Sequence, residues 1–98
     1  MGTDMEKRLG FIGIVMGDRS VAHEINAILG QYSSLVKARI GVPDADSPAA
    51  VIGLVVEGDN QSLGTLTAKL GNLPGVEVKS ALTRKKQTAG DFPAAEKE

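Results

Sequence analysis

Apolar and polar positions divide the chain into six blocks. Residues 9–16, Leu-Gly-Phe-Ile-Gly-Ile-Val-Met, are apolar on both faces of an extended segment, with Phe11, Gly13 and Val15 alternating with Ile12, Ile14 and Met16. Gly17-Asp18-Arg19-Ser20 follows as a turn in which Asp18 or Ser20 supplies an N-cap oxygen. Val21, Ile25, Ile28, Leu29 and Tyr32 then recur at helical spacing, with His23, Glu24 and Asn26 off the stripe and Gly30 marking the helix end. The period returns to two in the next block, where Val36, Ala38, Ile40 and Val42 form an apolar face opposite Leu35, Lys37, Arg39 and Gly41. Residues 43–48, Pro-Asp-Ala-Asp-Ser-Pro, are a turn-rich connection of hairpin length.

Ala49 to Val56 is again apolar on both faces, and Glu57-Gly58-Asp59-Asn60 turns the chain. Asn60 or Ser62 is the expected cap of a second helix with the stripe Leu63, Leu66 and Leu70, Thr67 beside it. Gly71 stands where a left-handed residue closes such a helix, Pro74 prevents a restart, and Gly75 frees the turn. Val76, Val78, Ser80 and Leu82 then alternate with Glu77, Lys79, Ala81 and Thr83.

The order strand, helix, strand, strand, helix, strand predicts an α+β fold. It is the ferredoxin-like βαββαβ sandwich, with a four-stranded antiparallel sheet and both helices on one face. Right-handed crossovers put the first and third strands in the centre. Those are the two blocks that are apolar on both sides. Helices cover only one face, so the other keeps an apolar patch, with Gly13 and Gly53 near its middle. Such a face predicts self-assembly, as a homodimer or homotetramer. Residues 1–8 read as a flexible N-terminus, 9–83 as the single domain, and 84–98 as a disordered charged tail.

Composition narrows the chemistry. A chain of 98 residues with 42% hydrophobic content builds one globular core, and with three aromatic residues (Phe11, Tyr32 and Phe92) that core is aliphatic. The net charge of −1 argues against a chain whose task is gripping nucleic acid. Zero cysteines remove disulfides, thiolate catalysis and cysteine metal sites, and fit a reducing compartment. No apolar run reaches membrane-spanning length and no signal-peptide pattern opens the chain, so a cytoplasmic protein is expected.

Candidate chemistry concentrates in the first strand–helix loop. Backbone N–H groups at a helix start attract anions, and Arg19 adds positive charge, so Gly17, Asp18, Arg19 and Ser20 are the expected ligand-binding residues. Arg39 and Gly41 are secondary candidates. His23 is the single histidine; a metal site would need symmetry copies of it meeting Glu24 or Asp18 across an interface, so no metal and no cofactor is expected. Asp44, Asp46 and Asp59 are turn residues with no catalytic pairing, and no nucleophile–base arrangement is present, so an enzyme is not expected. Arg84-Lys85-Lys86 is basic, but acidic residues follow in the same tail.

The segments RLGFIGIVMGDRSVAHEINAILGQYSSLVKARIGVP and AAVIGLVVEGDNQSLGTLTAKLGNLPGVEVKSAL resemble a family of small regulators associated with iron-only hydrogenase systems. The most specific pieces are Ala-Arg-Ile-Gly-Val-Pro, 38–43, and the stretch from Lys69 to Ala81. That family is similar to ACT-type ligand-sensing domains and to the C-terminal domain of the nickel-responsive repressor. The resemblance implies a regulatory, ligand-sensing or assembly module that binds a small effector at an interface. ACT domains commonly carry Asp-Arg-Pro-Gly in the first loop, where this chain has Asp18-Arg19-Ser20-Val21. The repressor's histidine and cysteine ligand set has no counterpart here. The other reading is a protein-interaction module that docks through its apolar sheet face without a small ligand.

Overall fold

The computed structural model describes residues 7–43, 46 and 48–83. The expected flexible N-terminus, apart from Lys7 and Arg8, and the expected tail lie outside the described residues. Four strands and two helices follow in the expected order: β1 (Arg8–Met16), α1 (Ala22–Gln31), β2 (Val36–Pro43), β3 (Ala50–Gly58), α2 (Asn60–Gly71) and β4 (Val76–Leu82). The sheet order is β2-β3-β1-β4, and every neighbouring pair is antiparallel. The doubly apolar strands β1 and β3 are central, as a right-handed pair of βαβ units requires.

The core lies between the sheet and the helices. Ile12, Ile14 and Met16 of β1 and Ile52, Leu54 and Val56 of β3 meet Ile25 and Leu29 of α1 and Leu63, Leu66 and Leu70 of α2. All of these are buried aliphatic side chains. They point to one side because side chains along a strand alternate, and the helix stripes recur at the matching face. Among the described residues, no helix is long and apolar enough to cross a membrane.

Several local expectations need correction. Helix α1 does not stop at Gly30 but continues to Gln31, with Tyr32 as C-cap. Ser33–Leu35 forms a short 3-10 turn, so β2 begins at Val36. A bulge between Val36 and Ala38 then changes the parity of β2. Val36 pairs with buried Val56 and packs toward the core, whereas Ala38, Ile40 and Val42 pair with Val55, Gly53 and Val51 on the open face. The four residues expected on one face are therefore split.

The cap of α2 is Asp59, in place of the expected Asn60 or Ser62. Its carboxylate accepts the Ser62 N–H at 2.9 Å and the Ser62 hydroxyl at 3.2 Å. Gly71 is not left-handed either; it is the last residue of α2, and the one positive φ among the described residues is +74° at Gly75. Pro74 and Gly75 are the central residues of a turn closed by the Val76 N–H donating to the Leu73 carbonyl at 3.3 Å. Proline followed by a positive-φ glycine identifies that turn as type II.

Candidate functional site

The first strand–helix loop is closed on itself. Asp18 accepts the Ser20 N–H on its carboxylate at 2.9 Å and the Val21 N–H on its carbonyl at 3.2 Å, forming a short 3-10 turn over Arg19–Val21. The Gly17 N–H donates to the Gly75 carbonyl at 3.0 Å, and the Arg19 N–H donates to the Pro48 carbonyl at 2.7 Å. Three of the four expected donors, the N–H groups of Gly17, Arg19 and Ser20, are thus already paired within the protein, as is that of Val21. The expectation of free N–H groups awaiting an anion here is corrected: the Asp18 carboxylate occupies the place such an anion would take.

The six candidate residues separate into two groups. Gly17, Asp18 and Ser20 line a hollow of about 350 Å³ whose other walls are Val21, Glu24, Pro74 and Gly75. Arg19 does not line it. It joins Arg39 and Gly41 around a second hollow of about 180 Å³, floored by Met16, Ala22, Ala50 and Ile52. Strand register explains the second grouping. Arg39 pairs with Leu54 and Gly41 with Ile52, both core-facing, so Arg39 and Gly41 stand on the helix side of the sheet.

Asn26 of α1 reaches toward the same place. Its side-chain oxygen accepts from the Arg39 guanidinium at 3.1 Å, bridging α1 and β2. Asn26 and Arg39 also border a third hollow of about 330 Å³ with Leu29, Gly30, Ser33 and Val36. The two hollows form one groove between α1 and β2, with Arg39 at their junction. Asn26 was not singled out in the sequence; its position off the apolar stripe and the charge on β2 are the signals that place it.

On the other side of the sheet, Leu9, Phe11, Val15, Ile40, Val42, Val51 and Val55 are all between 40% and 68% exposed. Gly53 and Gly13 lie side by side at the centre. The Phe11 ring lies against Gly53: a β-carbon added there would come within 2.8 Å of it. Glu77 and Lys79 border this face along β4, and a Lys37–Glu57 pair at 3.9 Å borders it at one corner. His23 is exposed, and no cluster of three or more metal-ligating side chains occurs among the described residues.

Comparison with known proteins adds a family to this geometry. The uncharacterized protein TM1266 from Thermotoga maritima is 37% identical and superposes with a TM-score of 0.74, covering 79% of this chain and 98% of that one. An unknown protein from Galdieria sulphuraria aligns at 14% identity and a TM-score of 0.61, over 84% of this chain and 48% of that one. The de novo designed protein Foldit4 aligns at 12% identity and 0.54, over 83% and 100%. The latter two show a shared fold alone. No curated protein matches the sequence. The TM1266-like family, described as "Iron-only hydrogenase system regulator, putative", matches residues 8–80, from the first residue of β1 into β4. With the family pattern spanning nearly all of the sheet and both helices, and a 37% identical relative covered almost end to end, this chain is a member of the TM1266-like family.

Proposed function

We propose that the protein is a non-enzymatic, cytoplasmic regulatory domain. It works as a homo-oligomer and responds to a small effector bound beside the first strand–helix loop and the subunit interface. The observation that carries this reading is the open sheet face with its seven exposed aliphatic and aromatic side chains. Four strands about 4.8 Å apart and some eight residues long give it a footprint of roughly 500 Å² in plan. Side-chain relief raises the area that a partner covers, toward the about 800 Å² per subunit of a stable interface. A border carrying both signs of charge, Glu77 and Lys79 on one edge and Lys37 with Glu57 on the other, suits a second copy of the same face related by a two-fold axis. Family membership supports the regulatory role.

Light scattering over a wide concentration range tests the assembly. The wild type is expected as a dimer or tetramer, and Val55→Glu as a monomer with an unchanged circular dichroism spectrum. A wild-type protein that stays monomeric at high concentration would overturn it. A second reading is favoured by β2, whose outer edge ends the sheet and bears exposed Ile40 and Val42. In that reading a different protein extends or covers the sheet. A monomer that binds a defined partner, with binding lost in Val55→Glu, would select it.

A further inference from the structure

We propose that the outer edge of β4 pairs with the β4 edge of a second copy, antiparallel and centred on Val78, so that two face-to-face dimers close into a tetramer. This rests on the face-to-face reading above and adds a second surface to it.

Hydrogen bonds at the two ends of β4 set which backbone groups face outward. The Gly17 N–H donates to the Gly75 carbonyl and the Thr83 N–H to the Leu9 carbonyl, each at 3.0 Å. Both bonds continue the register that pairs β1 with β4. Antiparallel strands alternate bonded and non-bonded pairs, so Glu77, Lys79 and Ala81 bond to β1. Val76, Val78, Ser80 and Leu82 therefore turn their backbone groups away from β1, toward the edge of the sheet. The Val76 N–H is used in the turn by the Leu73 carbonyl, at 3.3 Å.

This edge lacks the features that block pairing. Strand β4 keeps register with β1 over seven residues without a bulge, and it contains no proline. The β2 edge, in contrast, is bulged between Val36 and Ala38 and ends at Pro43. Bulges and prolines blunt an edge, whereas a regular edge accepts another strand.

Charge fixes the occupant and the register. Glu77 and Lys79 are both exposed and stand on the open side of the sheet, opposite Val15 and Gly13. For two edges to bond, outward-facing residues must stand opposite one another. With Val78 opposite its own copy, the two valines exchange backbone bonds, and the Ser80 N–H of each copy reaches the Val76 carbonyl of the other. Glu77 then stands opposite Lys79 of the other copy, and Lys79 opposite its Glu77. These are non-bonded pairs, in which side chains lie closest. The neighbouring registers, centred on Glu77 or on Lys79, set two glutamates or two lysines against each other. A lone lysine protects an edge strand from a second strand. A glutamate two residues away makes this edge complementary to its own copy instead.

The symmetry also closes. Ile40, Gly53, Gly13 and Lys79 form one row across the middle of the open face, and Val78 stands in the next row. A face-to-face two-fold axis along this row meets the edge two-fold at a right angle, and perpendicular two-folds generate a closed tetramer. A single edge about 24 Å long and about 10 Å deep covers roughly 240 Å² in section, below the about 800 Å² per subunit of a stable interface. The edges therefore form in pairs, between dimers already joined by their faces.

Light scattering on Glu77→Lys, Lys79→Glu and the double variant tests the pairing. The wild type is expected as a tetramer at high concentration. Each single variant sets like charges opposite one another and should stop at half that mass, with an unchanged circular dichroism spectrum. The double variant restores opposite signs in the same register and should return to the tetramer. An equimolar mixture of the two single variants should reach it too, because the basic edge of one matches the acidic edge of the other. A wild type that stops at the dimer, or single variants with the wild-type mass, would overturn the edge pairing and leave the face-to-face reading standing. Single variants that fall to monomers would put Glu77 and Lys79 in the face-to-face contact and overturn the edge. A double variant and a mixture that both stay dimeric would overturn it as well. A Val55→Glu protein that still dimerises, and loses this dimer on adding Glu77→Lys, would keep the edge pairing and remove the face-to-face reading.

Discussion

Gly75 and Gly71 flank the same proline-containing return and have opposite roles. Gly75 takes a φ of +74°, and its carbonyl accepts the Gly17 N–H, so the turn also anchors the first loop. Gly71 is helical, and a β-carbon there would meet nothing within 4 Å. Gly75→Ala should therefore destabilise by about 1–2 kcal/mol through left-handed strain. Gly71→Ala should stabilise by about 0.4–1 kcal/mol by restricting the unfolded chain. Urea midpoints of the two variants, moving in opposite directions, check both. The sequence shows that a helix ends and a turn follows within Gly71–Gly75, but not which glycine is left-handed. Either is compatible with Pro74. The choice is made by where α2 stops, and that depends on Leu70 reaching the core and on the Leu73–Val76 turn meeting β4.

Helix α2 is fastened at its start by Asp59, and this has a pH signature. The Ser62 hydroxyl, followed by the Ser62 N–H, holds the Asp59 carboxyl below its ordinary value of 3.8. The folded pKa is the lower one, so the cap contributes its full stability above the unfolded pKa and loses it as pH falls through the folded value. Wild-type stability should therefore decline below about pH 4. Asp59→Asn, which keeps a capping oxygen but no titrating carboxyl, should flatten that acid limb. Asp59→Ala should lower the urea midpoint at neutral pH. Midpoints measured from pH 3 to pH 7 distinguish the three proteins.

The same element scale explains what could be read of β2. Its alternation was legible, and so was its edge position. Which face carried the charge was not, because the bulge beside Lys37 sends Val36 toward the core and Ala38 toward the open side. A one-residue change in parity reverses every later side chain. It depends on pairing with β3, a partner the local pattern does not specify. Arg39 and Gly41 were thus recognisable as candidates. Their meeting with Arg19 and Asn26 in one groove was not, and neither was the pairing of the loop's N–H groups by Asp18, Pro48 and Gly75.

At the scale of the molecule, topology and core were legible because three patterns agree: strand order, doubly apolar central strands and helix stripes. What the sheet's second face does is a question about stability as well as assembly. Phe11 connects the two. Its ring is half exposed and rests on Gly53, whose lack of a side chain lets it lie low over the sheet. In an isolated chain, removing a ring already half in water should cost well under the about 3–5 kcal/mol of a buried Phe→Ala change. In a face-to-face oligomer the same ring is fully desolvated near the centre of the interface, where anchors dominate binding. An oligomer that unfolds to monomers has a melting temperature that rises with protein concentration. Phe11→Ala should therefore differ little from wild type at high dilution, fall progressively behind as concentration rises, and lose most of the concentration dependence itself. Parallel melting curves, with the same offset between the two proteins at every concentration, would place Phe11 outside the interface and leave its contact with Gly53 as its whole contribution.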